Sequence, residues 1–317
     1  AVAAAEPPRL IAARVSLLGA YSGWMRRHTQ VPPSHFLSVI VPAIGHAQRS
    51  VASAAAAALI QTSVSARVEV GADADALQLV LSALRVAGNL PPGEAPRLVE
   101  ACARCIAAAP PPQPIETLFV PLIESLSEGI CAAEGHSAGP VGGDGASEEV
   151  RQQLLRSVAT VTTMLAGAMR PLRPVGAWGP GGESAAILQI LWPLWTRAMA
   201  LLGDASSAAE AELLESLCLL AATAVLSASS HAFAAWLQPT ATVLIDTFRV
   251  RLATPLLELA CRLFDSFCER GGEHEASFAS LLDALSEAAL PAIRVAAPPP
   301  DLARELLRLA ERYSKLA

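Results

Sequence analysis

Apolar side chains recur at helical spacing along most of the chain. In residues 9–28, Ile11, Val15 and Leu18 form one stripe, and a second stripe runs beside it through Leu17 and Tyr21. Two adjacent stripes are typical of a helix that is covered on both sides. This periodicity predicts about thirteen helices and no strand. Their predicted ranges are 9–28, 33–47, 50–66, 73–89, 94–108, 114–133, 147–169, 184–202, 207–228, 230–250, 255–270, 275–296 and 301–316.

Four of the apolar runs contain a proline near the middle: Pro42, Pro121, Pro193 and Pro239. A proline inside a helix removes a backbone hydrogen bond and costs about 3 kcal/mol, so its repeated placement indicates a repeating unit. The spacings are roughly one or two times the ~40–47 residues of a HEAT or armadillo helix pair. We therefore predict an all-α HEAT-repeat α-solenoid, a superhelical array of antiparallel helix pairs, which serves binding rather than catalysis.

Two segments lack apolar periodicity. Residues 134–146 are rich in glycine, and residues 170–183 combine several prolines and glycines. Little apolar burial offsets the entropy of ordering such segments. We predict helical repeats over 1–133 and 147–317, joined by a flexible loop at 134–146 and interrupted by the second loop, in one continuous solenoid. Ser147 is the predicted N-cap of the helix that follows the first loop.

The composition agrees with packed helices. The 317 residues are 53% apolar, 16% charged and only 4% aromatic, and alanine and leucine, both strong helix formers, dominate. The stretch Leu217–Leu226 has about half of the ~20 apolar residues that a bilayer span requires. The other strongly apolar stretch, Trp192–Leu202, is broken by Arg197. We expect a soluble chain without membrane insertion.

Charge and the remaining motifs give no sign of chemistry. The net charge is −6, and the arginines are scattered along the chain, so we predict protein partners and no nucleic acid. Cys102-x-x-Cys105 lacks the second ligand pair of a structural zinc site, and Gly142–Gly145 lacks the strand and the G-K-[ST] of a phosphate loop. We predict no metal, no cofactor and no enzymatic activity. The six cysteines are interpreted as buried, reduced thiols of a cytosolic or nuclear protein.

A few side chains are candidates for binding a protein cargo. The acidic residues Glu124, Glu128 and Asp246 could line a surface for a basic partner, although they also fit an ordinary solvated face. Trp236 lies close to one of the recurring prolines, as do Trp192 and Trp195. Two roles are open for these three tryptophans: packing between helices, or anchoring a bound peptide.

Several motifs resemble the importin-β (karyopherin) superfamily. The stretch Leu18–His28 resembles that family's helix ending in tryptophan, an apolar residue and His-Pro, with Thr29 in place of the proline. The Pro42 helix and a helix of small residues, Ser50–Ile60, follow in the family's order. Ile187–Leu194 is similar to the family's I-W-P-V helix.

The resemblance extends over residues 9–316 and is to the importin-13/transportin-3 branch. It implies a nuclear transport receptor that binds protein cargo and exchanges it under RanGTP control, with Ran and nucleoporins as partners. It also implies a monomer that shuttles between cytoplasm and nucleus. The chain would be a middle-to-C-terminal fragment without the N-terminal repeats that contact Ran. The alternative is a HEAT-repeat scaffold or adaptor of a protein complex, without a link to Ran.

One departure distinguishes the two sides of this branch. Transportin-3 reads phosphorylated arginine/serine-rich cargo with an arginine-rich helix at a place that resembles residues 210–228. This chain has no arginine there, and Glu210, Glu212 and Glu215 would present negative charge instead. The departure favours the importin-13 side. Ser207 and Glu210 also form an S-x-x-E capping box, which predicts where this helix begins.

Overall fold

The computed structural model describes residues 6–25, 27, 31–88, 90–91, 93–110, 115–137, 145–172, 183–203, 207–227, 230–268, 272, 274–294 and 300–316. Every regular element in these ranges is a helix, and none of the ranges contains a strand. The predicted all-α class is confirmed. The α-helices are α1 (Pro8–Met25), α2 (Pro33–Ile44), α3 (Arg49–Ser65), α4 (Arg67–Ala72), α5 (Ala74–Ala87), α6 (Ala95–Ala107), α7 (Ile115–Ser137), α8 (Gly145–Met169), α9 (Glu183–Ala200), α10 (Ala208–Ser227), α11 (Ser230–Arg251), α12 (Thr254–Phe267), α13 (Glu275–Ile293) and α14 (Pro300–Leu316). A short 3₁₀ turn, Arg170–Leu172, continues α8.

The helix that periodicity did not predict is α4, which has six residues. It lies between α3 and α5, and Asp73 ends it by capping α5. The Asp73 carboxylate accepts hydrogen bonds from the backbone N–H groups of Asp75 and Ala76, each at 3.1 Å. Its other oxygen accepts the N–H of Ser34 at 3.0 Å, which joins the first turn of α2 to this cap. A helix of less than two turns carries too little periodicity to be recognised.

The structure describes only the ends of the two predicted loops. Helix α7 continues to Ser137 and α8 begins at Gly145, so both helices extend into the predicted loop 134–146. The predicted N-cap Ser147 is therefore wrong, because this residue lies in the first turn of α8. Residues 138–144 and 173–182, the central parts of the two predicted loops, lie outside the described residues.

The mid-helix prolines are confirmed. Pro42, Pro121, Pro193 and Pro239 lie inside α2, α7, α9 and α11, and Pro291 lies inside α13. All five are exposed. At an exposed position water can bind the carbonyl that loses its helical partner, so an outward-facing proline is less costly than a buried one.

The chain forms two compact units, of which the first consists of residues 1–124 and 167–172. In it α3 contacts both α1 and α6, while α2 contacts α5, and the consecutive helices α2–α3 and α5–α6 also pack together. Helices α1 and α3 approach each other closely. A Cβ added at Gly19 would lie 2.7 Å from the Cα of Ala58, so only glycine allows this spacing.

The second unit consists of residues 125–166 and 173–317. Here α9 contacts α11, α11 contacts α13, α10 contacts α12, and α12 contacts α14. The consecutive pairs α9–α10, α11–α12 and α13–α14 also contact each other. Its core contains the fully buried aromatic side chains Trp192, Trp195, Phe233, Phe248 and Phe264.

Helix α13 bears on the question of membrane insertion. Within the part of the chain that the structure describes, it is the one helix long and apolar enough to cross a bilayer, and 22% of its 18-residue apolar window is buried. A single helix of this kind is weak evidence, because core helices of soluble proteins meet the same criteria. It packs against α11 and α14. The absence of membrane insertion stays a prediction.

Candidate functional site

The acidic residues predicted to bind cargo lie on helix surfaces. Glu124 and Glu128 are exposed on α7. Asp246 is exposed on α11, 4.0 Å from the guanidinium of Arg249 in the next turn. Among the described residues, no hydrogen bond or ring contact joins Asp246 with Trp236, the other candidate on that helix. A role of these residues in cargo binding stays a prediction.

The tryptophans form an aromatic cluster in the second unit. The rings of Trp192 and Trp195 stack with their centroids 5.0 Å apart, and the ring centroid of Trp236 lies 6.3 Å from that of Trp192. Trp192 donates to the hydroxyl of Thr240 at 3.1 Å, and Trp195 donates to the carbonyl of Leu217 at 3.0 Å. Both of these indoles are buried with their polar atoms satisfied, as packing between helices requires. Trp236 is half-buried, which leaves part of its ring accessible.

Glu210, in the first turn of α10, is fully buried and is held by two arginines. The guanidinium of Arg151 donates to one carboxylate oxygen at 2.7 Å, and that of Arg251 donates to the other at 2.8 Å. The N–H of Gly203 adds a bond at 3.3 Å. Burial acts to raise the pKa of Glu210, but the hydrogen bonds from Arg251 and Arg151 outweigh it and lower that pKa. Glu210 is therefore a carboxylate at neutral pH.

The same two arginines also bind the backbone before α10. Arg151 donates to the carbonyl of Leu201 at 3.3 Å, and Arg251 donates to the carbonyl of Gly203. Helix α11 ends directly after Arg251, where Leu252 adopts a left-handed backbone conformation with φ of 46°. We call Arg151, Glu210 and Arg251 the Glu210 cluster. It joins α8, α10, α11 and residues 201–203 within the second unit.

The Glu210 cluster was missed by sequence reasoning. The predicted cap is half present, because the hydroxyl of Ser207 accepts the N–H of Glu210 at 3.2 Å. The glutamate side chain, however, binds the arginines, so the expectation that Glu210 presents negative charge is wrong. Glu212 and Glu215 are exposed as expected. The partners lie 59 and 41 residues away in sequence, and the only available signal was the position of Glu210 on the apolar stripe of its helix.

A basic cleft lies in the first unit. It is lined by Arg67 at the start of α4, Arg104 near the end of α6 and Arg170 after α8, together with the carboxylate of Glu100. Its volume is about 510 Å³. The guanidiniums of Arg104 and Arg170 approach Glu100 at 2.5 and 3.7 Å. Arg67 is exposed and forms no ion pair with another described residue.

Five of the six cysteines are buried as predicted, whereas the prediction is wrong for Cys131, which is exposed. Burial raises the pKa of the Cys105 thiol to about 12 and that of Cys102 well above its ordinary value. Cys102 donates weakly to the carbonyl of Val80 at 3.6 Å. Since the thiolate is the reactive form, the buried thiols Cys102 and Cys105 are unreactive at neutral pH in the folded protein. The described residues contain no group of three or more His, Cys, Asp or Glu side chains that could hold a metal ion.

No protein-family model matches the chain, and no curated protein matches it. The importin-β resemblance therefore depends on the motifs in residues 18–28, 50–60 and 187–194 and stays a prediction. In the structure, the first of these motifs lies largely in α1, the second in α3 and the third in α9.

Proposed function

We propose that the chain is a HEAT-type helical-repeat array that binds other proteins. The observation that carries this proposal is the alternation of helix contacts in each unit. In the second unit each helix contacts the next but one, as in α9–α11–α13 and α10–α12–α14, and consecutive helices pair between these two series. The first unit has the series α1–α3–α6 and α2–α5, which skip the short α4. Stacked helical hairpins, each packing mainly on its neighbours, give such a pattern.

The positions of the internal prolines support the same proposal. The proline-containing helices α9, α11 and α13 belong to one of the two series in the second unit, and α10, α12 and α14 have no internal proline. In the first unit the proline of α2 lies in the series α2–α5 rather than α1–α3–α6. An internal proline that recurs in one of the two helix series is expected when a single helical hairpin is repeated along the chain.

Within this class, we propose an importin-β-type nuclear transport receptor that binds protein cargo and exchanges it under RanGTP control. The support is the order of its motifs, which fall in helices of the repeat series. An array whose units contact mainly their neighbours can change its curvature in small steps. Ran could then release cargo by binding a curvature that cargo does not, because a ligand shifts an equilibrium by its differential affinity for two states.

The test measures Ran binding by the full-length protein, including any sequence that flanks this chain. Purified Ran loaded with a non-hydrolysable GTP analogue is titrated into the labelled protein, and Ran loaded with GDP is the matched control. We expect clear binding of the GTP form and at least tenfold weaker binding of the GDP form, which corresponds to about 1.4 kcal/mol. Equal or absent binding of both forms would reject the transport proposal and leave a scaffold or adaptor without Ran.

A further inference from the structure

We propose that the basic cleft of the first unit binds a phosphorylated serine or threonine of a partner protein. The cleft is lined by three arginines, Arg67, Arg104 and Arg170, and by one carboxylate, that of Glu100. This excess of two positive charges belongs to a chain whose net charge is −6. A cleft lined by positive charge concentrates the field and attracts anions to this place on an otherwise acidic protein.

The arrangement of the charges indicates how an anion would bind. Glu100 accepts from Arg104 at 2.5 Å and lies 3.7 Å from Arg170, so a carboxylate already occupies the space between these two guanidiniums. It holds them in place but neutralises only one of them. Arg67 is exposed and has no described carboxylate partner. The remaining donors of all three arginines can therefore serve an external group with several oxygen acceptors.

A phosphate monoester fits this excess better than a single carboxylate does. It carries a charge of about −1.5 to −2 at neutral pH and three acceptor oxygens, whereas one aspartate or glutamate of a partner carries a single charge. The carbonyl ends of α6, at Ala107 and Ala108, contribute partial negative charge to the same cleft. This offsets part of the positive potential of the guanidiniums, whose excess of two charges is what favours a dianionic ligand over a monoanionic one.

The walls of the cleft are held rigidly by close packing. A Cβ added at Gly71 would lie 2.7 Å from the backbone nitrogen of Ala109, so α4 sits directly on the end of α6. A Cβ at Gly167 would lie 3.0 Å from the carbonyl of Pro96, which fixes the end of α8. The arginines thus project from a backbone that does not need to rearrange, which lowers the cost of binding.

The rest of the cleft shows what the partner segment should contain. Val68, 59% exposed, lies beside Arg67, and Pro171 lies beside Arg170. These apolar surfaces can pack against small side chains next to the phosphorylated residue. Three arginines would repel basic flanks, so the phosphorylated residue should have acidic or neutral neighbours rather than arginines. Phosphate binding in this cleft depends on no property of Ran binding, so the two proposals can fail separately.

The test uses fluorescence anisotropy with the intact chain and a short labelled peptide that carries one phosphoserine among glycine, alanine and aspartate. The matched probes are the unphosphorylated peptide and the peptide with glutamate in place of phosphoserine. We expect the phosphorylated peptide to bind at least about tenfold more tightly than either, and inorganic phosphate to compete with it. Equal affinity for all three peptides would overturn the proposal.

Two variants separate the cleft from the overall charge. Arg67→Gln removes the arginine that has no described carboxylate partner, and we expect about five- to twentyfold weaker binding of the phosphorylated peptide. Arg85→Gln removes the same charge from an exposed position of α5 in the same unit and should leave binding unchanged. Circular dichroism checks that both variants keep the native helical content. Equal weakening by the two substitutions, or no weakening by either, would contradict a site in this cleft.

Discussion

Glu210→Ala is expected to lower the free energy of unfolding of the second unit by about 3–5 kcal/mol, because removing one partner of a buried ion pair leaves the other charges uncompensated. The side chain of Glu210 is fully buried, and that of Arg251 is only 9% exposed. Without the carboxylate, Arg151 and Arg251 lose the buried anion that they share, although their bonds to the carbonyls of Leu201 and Gly203 can remain. Urea unfolding followed by circular dichroism measures the change.

The control for this prediction is Glu212→Ala, which removes the same charge from an exposed position of the same helix turn. It should change the free energy of unfolding by no more than about 0.5 kcal/mol, as is usual for surface substitutions. If Glu210→Ala were as mild as this control, the Glu210 cluster would not stabilise the fold, whatever its geometry.

The cluster also predicts how stability depends on pH. Because the pKa of Glu210 is lower in the folded protein, its contribution is present above the unfolded-state pKa of about 4.3 and is lost as the pH falls through the folded-state pKa. The difference in unfolding free energy between the wild-type protein and Glu210→Gln should therefore be largest near neutral pH and shrink in acid. A difference that stays constant down to the acid end would contradict an ionised, paired carboxylate.

Trp192→Ala is expected to destabilise the second unit by about 3–5 kcal/mol, the usual cost of removing a large aromatic side chain from a core. Trp192 is 1% exposed, and its ring contacts those of Trp195, Phe233 and Trp236. Truncation leaves a cavity between α9 and α11 and also leaves the hydroxyl of Thr240 without the indole donor. Chemical unfolding, monitored by circular dichroism, gives the magnitude.

Trp24→Ala provides the matched control, since Trp24 on α1 is 48% exposed. The same substitution there should cost less than about 1 kcal/mol. Trp192→Phe, which keeps an aromatic ring but loses the indole N–H, should fall between the two. Equal effects at the two tryptophans would contradict a core role for Trp192.

The helices other than α4 were predictable because each is long enough for its periodicity to show. The apolar stripes and the mid-helix prolines are local features. The one bond of the predicted capping box that forms, from the N–H of Glu210 to the hydroxyl of Ser207, also joins residues only three apart. Helix ends were less certain: α7 continues to Ser137 through a segment whose glycine and small residues conceal the periodicity. The six-residue α4 is stabilised by its packing on α6 rather than by its own pattern.

The charged sites could not be predicted for the opposite reason. Arg151, Glu210 and Arg251 come together from three helices, and the arginines of the basic cleft come from α4, α6 and the end of α8. In the sequence these arginines look like the scattered charges of solvated faces. Which of them come into contact depends on the tertiary fold. Local sequence patterns, which relate residues a few positions apart, therefore do not predict either site.

Hydrogen exchange on the Phe278→Ala variant tests the helical-repeat account most directly. Phe278 on α13 is 2% exposed, and the centroid of its ring lies 4.6 Å from that of Phe264 on α12. The substitution therefore weakens one end of the proposed array. In an array whose units contact mainly their neighbours, a local defect spreads only to adjacent helices. We predict faster exchange in α11–α14 and unchanged protection in α1–α6. Loss of protection throughout α1–α14 would show a single cooperative core and contradict a helical-repeat array.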